Sequence, residues 1–293
     1  MQLNIGNTTL VRLRTDRRIF VKLEYMNPTG SIKDRAAFFM IKDALNKGNL
    51  KQGGTLVEAT SGNTGIGLVY TGRFFNIRTI LVMPDFISEE KIALLKTLGA
   101  EVVLTEGSAG MSGAVLKARQ IAENENAFMP DQFSNPANVL AHKLGTGPEI
   151  LKQMSLDIDA FVSGVGSGGT ITGVSAALTE FNNKIKTFAV EPAESNVLSG
   201  GKPGKHTIEG IGAGFVPAIF NYDLISGVIT VPQEMAWKEA RRLAREDGVC
   251  GGPSTGANIY AARLVAEKYS FERVVTVAPD GLNRYGKEFA AFK

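Results

Sequence analysis

The chain has 293 residues, 44% hydrophobic and 21% charged, an ordinary globular composition that excludes a disordered or collagen-like chain. With 32 Lys and Arg against 29 Asp and Glu the net charge is only +3, and no stretch interleaves basic with aromatic residues, so no nucleic-acid partner is expected. A single cysteine, Cys250, rules out an internal disulfide, and the absence of a signal-type or membrane-length apolar run leads us to expect a cytoplasmic protein without a membrane anchor.

In chain order, RIFVKLEY (18 to 25) reads as an opening strand that runs into the turn Asn27-Pro28-Thr29-Gly30. Ser31 followed by Asp34 then fits a helix-starting cap, which puts Lys33 in the first turn of a helix. The positive end of the helix dipole disfavours an ammonium there, although a solvated surface lysine is the common fate of the residue type. From about residue 55, β-branched runs alternate with amphipathic stretches: strands at 55 to 60, 79 to 84 and 101 to 106, helices at 64 to 75, 88 to 98 and 109 to 124. A second set follows, with a helical stretch at 137 to 154, a strand at 160 to 165, a helix from 170, a strand at 185 to 192, helices near 233 to 247 and 254 to 268, and a strand at 273 to 279. Such alternation predicts two open, twisted α/β lobes with mainly parallel sheets. The Gly- and Pro-containing segment 193 to 222 breaks it and is expected to be a long functional loop.

Only His142 and His206 are present, without metal-ligand or nucleophile-elbow spacing, so zinc hydrolysis and Ser-His-Asp chemistry are poor expectations and no metal site is assigned. Both histidines are read as surface or loop residues and Cys250 as a buried, inert thiol. Acid-base work then falls to carboxylates, lysine or a cofactor.

Two glycine-rich turns follow predicted strands and open helices: Ser61-Gly62-Asn63-Thr64-Gly65 and Gly166-Ser167-Gly168-Gly169-Thr170. Each offers backbone N–H groups at the carboxyl edge of a sheet, where open α/β folds bind anions. The second suits a phosphate; the first, with the side chains of Thr60, Ser61, Asn63 and Thr64, suits a carboxylate and a polar ring substituent. Taken singly, either could be no more than a tight strand-to-helix turn. Gly164, Gly166 and Gly169 also satisfy GxGxxG with Glu191 about 22 residues on, a formal dinucleotide fingerprint and hence a dinucleotide-binding oxidoreductase as the distant alternative.

Taken together, Asn27 to Arg35 (NPTGSIKDR), Thr60 to Gly65 (TSGNTG), Gly166 to Thr170 (GSGGT) and Gly210 to Phe215 (GIGAGF) resemble, in order and spacing, the cysteine synthases, or O-acetylserine sulfhydrylases. These are fold-type II pyridoxal 5'-phosphate enzymes, similar in fold to the tryptophan synthase β chain, and the resemblance runs from Ile5 to about Tyr285. It implies a smaller mobile lobe at 38 to 136 and a larger cofactor-binding lobe formed by 1 to 37 with 137 to 293. By the same resemblance Lys33 forms the Schiff base and serves as the catalytic base, Gly166, Ser167, Gly168, Gly169 and Thr170 cradle the cofactor phosphate, and Asn63 meets the ring hydroxyl. Ser254 faces the pyridine nitrogen, and Thr60, Ser61, Gly62, Thr64 and Gln132 hold the substrate carboxylate. The implied reaction converts O-acetyl-L-serine and sulfide to L-cysteine and acetate through an α-aminoacrylate. A homodimer and a serine acetyltransferase partner are further implications, and a cystathionine β-synthase-like or serine-using β-replacement is the alternative. Pro279-Asp280-Gly281-Leu282-Asn283-Arg284-Tyr285 departs from the family's usual serine-glycine-glutamate run, and Gly251-Gly252-Pro253 before Ser254 is also unusual.

Overall fold

A computed structural model describes residues 3–286 and Phe289. In chain order the elements are β1 (Leu10–Arg12), β2 (Ile19–Leu23), α1 (Lys33–Asn46), β3 (Thr55–Ala59), α2 (Asn63–Phe74), β4 (Arg78–Pro84), α3 (Glu89–Thr97), β5 (Glu101–Thr105), α4 (Gly110–Glu125), α5 (Pro136–Ala141), α6 (Gly147–Gln153), β6 (Ala160–Gly164), α7 (Gly169–Phe181), β7 (Lys186–Pro192), β8 (Gly227–Val231), α8 (Gln233–Arg242), α9 (Pro253–Tyr269) and β9 (Val274–Ala278). They divide into two compact units, Met1–Ile5 with Lys33–Asn138, and Gly6–Ile32 with Val139–Lys293. No helix among the described residues is long and apolar enough to cross a membrane.

The first unit is built on a three-stranded parallel sheet, β3-β4-β5. Side chains on β3 alternate between two cores: Leu56 packs with Met40, Ile41 and Leu68 of α1 and α2, whereas Val57 packs with Val82, Ala114 and Ala118 on the α4 side. That two-residue repeat is what a strand covered by helices on both faces requires, even at the edge of the sheet. Helices α1 and α2 meet closely at glycine, since a Cβ at Gly67 would lie 3.1 Å from the Lys33 carbonyl oxygen and 3.3 Å from Ala37 Cβ.

The second unit holds a six-stranded sheet in the order β1-β2-β9-β6-β7-β8, parallel except for the β1-β2 pair. Central strand β9 is buried throughout, with Val274 and Ala278 in the core under α8 and α9 and Val275 and Val277 in the core under α7. Burial on both faces explains its near-continuous apolar sequence. Thr276, the polar exception, donates its hydroxyl proton to the Val162 carbonyl at 2.7 Å.

Several expectations are corrected. The predicted helix at 137 to 154 is α5 and α6 joined by a wide, π-type turn at His142–Thr146, and α8 likewise ends in such a turn at Leu243–Asp247. Strands β1 and β8, absent from the sequence reading, sit at the two edges of the larger sheet. The segment 193 to 222 is a long loop, as expected, and carries short 3-10 turns at Ala193–Ser195 and Val197–Ser199. His142 is buried rather than superficial because both ring nitrogens find hydroxyls, Thr146 at 2.9 Å and Thr170 at 3.3 Å. Cys250 is exposed, not buried, just beyond the left-handed Gly248 that ends the α8 extension.

Candidate active site

Lys33 opens α1 in the first unit, and the preceding residue, Ile32 of the second unit, donates its backbone N–H to the Pro279 carbonyl at 2.8 Å. Ser31, two residues before the start of α1, forms an antiparallel bridge with Asp280. The loop after β3 leaves the sheet at Thr60, whose N–H still bonds the Val82 carbonyl, and α2 begins at Asn63 behind the extended Gly62. The first backbone N–H groups of such a helix lack partners within the helix, which suits an anion in general, and here the Gly62 N–H donates to Thr60 Oγ1 at 3.4 Å.

Thr64 and Gln132, distant in sequence, are brought together: Thr64 Oγ1 donates to Gln132 Oε1 at 2.7 Å, with both residues buried. A hydroxyl has one proton, so that of Thr64 is committed to Gln132, and the Gln132 amide NH₂ is left as the donor for a ligand. Gln132 is also tethered through its backbone carbonyl, which accepts from Asn138 Nδ2 at 2.8 Å. Sequence reasoning missed Glu58. This carboxyl is buried in β3 and accepts the Asp131 N–H at 2.9 Å. Burial, together with the nearby Asp131 carboxylate, pushes its pKa up to about 8.

Within the second unit, β6 delivers Gly166–Thr170 to the start of α7. Gly168 is left-handed, with φ of 87°, and a Cβ at Gly166 would overlap the Gly210 carbonyl oxygen, so backbone from two loops meets without intervening side chains. The loop is braced from α9: Asn258 Oδ1 accepts the Gly164 N–H at 2.7 Å, and Asn258 Nδ2 donates to the Val277 carbonyl at 2.9 Å. Ser254 lies in the first turn of the same helix and is buried; its Oγ would be 3.9 Å from a Cβ at Gly210.

The unusual Gly-Gly-Pro run has a packing cause. A Cβ at Gly252 would lie 2.6 Å from Asp280 Oδ1 and would run into the Tyr285 ring. Asp280 is buried there, its Oδ2 accepting the Tyr285 hydroxyl at 2.6 Å and its backbone carbonyl accepting the Gly252 N–H at 3.1 Å. Burial and the Asp280 carboxylate both raise the Tyr285 pKa, so the phenol remains a donor.

Within the second unit the residues present fit a pyridoxal phosphate: a side-chain-free loop at a helix N-terminus suits the phosphate, and Ser254 supplies a buried neutral hydroxyl. The dinucleotide alternative does not fit. Glu191, the acid it needs for a ribose, already accepts the N–H groups of Leu198 and Ser199 and the Ser199 hydroxyl.

The family of pyridoxal-phosphate dependent enzymes matches residues 1–280. The chain is 46% identical over 288 residues to the cysteine synthase of Staphylococcus aureus strain Mu50, an alignment covering 96% of this chain and 93% of that one. It is 46% identical over 280 residues to a probable cysteine synthase of Bacillus subtilis, covering 92% and 90% of the two chains. The crystal structure of the Entamoeba histolytica cysteine synthase superposes with a TM-score of 0.94 at 40% identity, covering 99% of this chain and 89% of that one. A fold of two α/β units, two glycine turns at helix starts and these likenesses over nearly the whole length converge: the chain belongs to the pyridoxal-phosphate dependent enzymes, in their cysteine synthase branch.

Proposed function

We propose that the protein replaces the acetoxy group of O-acetyl-L-serine with sulfide, releasing L-cysteine and acetate, with pyridoxal 5'-phosphate as its cofactor. The observation that carries this reading is the Gly166–Thr170 loop, where closely packed backbone, a left-handed Gly168 and the start of α7 make an anion cradle that excludes side chains. The likeness to cysteine synthases over 96% of the chain selects the substrates.

In this reading Gly166 to Thr170 hold the cofactor phosphate, Asn63 the ring hydroxyl and Ser254 the pyridine nitrogen. Bound, the cofactor supplies an electron sink for charge developing at the substrate Cα. Ser254 offers a neutral hydroxyl rather than a carboxylate, which favours departure of a Cβ substituent over transamination. Thr60, Ser61, Gly62 and the Gln132 amide bind the substrate carboxylate, with Thr64 orienting Gln132. Lys33 Nζ takes the Cα proton, acetate leaves from Cβ, hydrosulfide adds at Cβ, and Lys33 Nζ returns the proton to Cα. The lobe expected at 38 to 136 carries most of the carboxylate-binding residues, and we assign it the closing motion that excludes water during turnover.

A homodimer belongs to the same proposal, supported by the exposed Leu140, Leu144, Phe215 and Val216. Serine acetyltransferase is the proposed protein partner, to be tested by co-purification. The lone, exposed Cys250 supports a reducing, cytoplasmic setting.

The test is the visible absorbance of the purified protein before and after O-acetylserine, and again after sulfide. A cofactor band that moves on the first addition and returns on the second, as cysteine accumulates, is the expected result. A band that ignores O-acetylserine but answers to serine keeps the fold and changes the substrate; no band after reconstitution with pyridoxal phosphate overturns the reading.

A further inference from the structure

Glu58 has no part in the mechanism above, yet a carboxyl is an expensive group to bury, as it is here on a strand of the parallel sheet. Its environment shows what it does there. Glu58 shares the face of β3 that carries Leu56, and its Oε2 accepts the Asp131 N–H at 2.9 Å across 73 residues of sequence. Asp131 is left-handed, with φ of 46°, a conformation uncommon outside glycine that Asp tolerates when local hydrogen bonds hold it.

The turn it begins is dense with internal bonds. The Asp131 carbonyl accepts the N–H groups of Ser134 and Asn135 at 3.1 and 3.0 Å, its carboxylate accepts the Ser134 hydroxyl at 2.5 Å, and Asn135 Nδ2 donates to the Pro130 carbonyl at 2.8 Å. All of these bonds lie inside the turn and fix its shape. The Glu58 bond instead ties it to the sheet from which the Thr60–Thr64 loop emerges, and the Thr64–Gln132 bond closes the circuit from the other side.

We propose that Glu58 is a positioning residue for substrate binding: by accepting the Asp131 N–H it holds the left-handed residue next to Gln132, so that the Gln132 amide stays in register with the loop at Thr60 to Thr64. The inference rests on the reading that Gln132 meets the substrate carboxylate. Glu58 itself touches neither substrate nor cofactor.

Glu58→Met preserves volume and removes the acceptor, whereas Glu58→Gln keeps an oxygen that can accept the same bond. In the holoenzyme, Glu58→Met is expected to raise KM for O-acetylserine about tenfold, the loss of roughly one well-made hydrogen bond, with kcat and the KM for sulfide within about threefold of the native values. Glu58→Gln should restore KM to within about twofold. Amide hydrogen exchange gives a readout independent of turnover: the backbone of 130 to 135 should exchange faster in Glu58→Met and at the native rate in Glu58→Gln. A Glu58→Met enzyme that loses thermal stability but keeps native KM and native exchange in this segment would show a purely structural carboxyl and overturn the proposal. A native enzyme that fails to turn over O-acetylserine would overturn the functional reading itself, and the inference with it, whatever the variants do.

Discussion

Thr64 gives its hydroxyl proton to the side-chain oxygen of Gln132 at 2.7 Å, joining the first turn of α2 to a turn 68 residues further along the chain. In the proposed reading Thr64 therefore acts on the substrate carboxylate through Gln132 rather than beside it. Thr64→Val, nearly isosteric, should raise KM for O-acetylserine about tenfold with little change in kcat. The double variant Thr64→Val with Gln132→Ala should be no worse than Gln132→Ala alone. Fully additive losses in steady-state kinetics would mean that Thr64 binds substrate independently.

Lys33 is assigned the proton transfer at Cα. Lys33→Ala should lower turnover by at least about 10³-fold, the range for loss of a positioned acid-base group. The same variant should release its cofactor on dialysis more readily than the native enzyme. Native absorbance and turnover in Lys33→Ala would refute the assignment.

At Gly166 even a methyl group collides with the Gly210 carbonyl. Gly166→Ala must push the two loops apart, and we expect a loss of roughly 1–3 kcal/mol in stability together with at least about tenfold weaker pyridoxal phosphate binding. Gly62→Ala is the matched control for chain stiffening, because nothing lies within 4 Å of a Cβ there. Titration of the apoprotein with cofactor, monitored by absorbance, separates the two, and equal affinities would count against the cradle.

The raised pKa of Glu58 has a consequence for stability. Folded, the group holds its proton up to about pH 8; unfolded, it releases it near the ordinary glutamate value of 4.5. Between those limits the folded state binds more protons, so stability is fullest below about pH 4.5 and declines as pH rises towards 8. Glu58→Gln cannot ionise and should be level with the native protein near pH 4.5, then gain over it up to pH 8 by an amount on the order of a few kcal/mol. Urea unfolding at pH 5, 7 and 9 measures the difference, and a constant offset would place the Glu58 pKa in the ordinary carboxylate range.

Much of this architecture was legible in the sequence because parallel strands buried on both faces must be written as short apolar runs and their helices as amphipathic ones; β3, β4, β6, β7 and β9 all follow that rule. Edge strands need not. β8 is mostly half-buried, begins at a glycine and follows the long 193 to 222 segment, so its pattern merged with the loop. His142 was misplaced because Thr170, one of the two hydroxyls that satisfy its buried ring, lies 28 residues away on another helix. Glu58 is the sharper case. In Thr55-Leu56-Val57-Glu58-Ala59-Thr60 it reads as the polar member of an alternating strand, and only the partner 73 residues on shows why a carboxyl is there. The glycine loops announced themselves locally, whereas every pairing between them and distant residues is a property of the folded chain.

Asn258 and Ser254 stand four residues apart on α9, just over one helical turn or about 6 Å along its axis. Asn258 pins the residue that leads into the Gly166 loop, while Ser254 offers its hydroxyl from the turn before. One rigid helix thus sets the spacing between the two points proposed to meet the cofactor, its phosphate at the Gly166 loop and its ring nitrogen at Ser254. Lengthening the brace with Asn258→Gln would recalibrate that ruler without altering either point of contact.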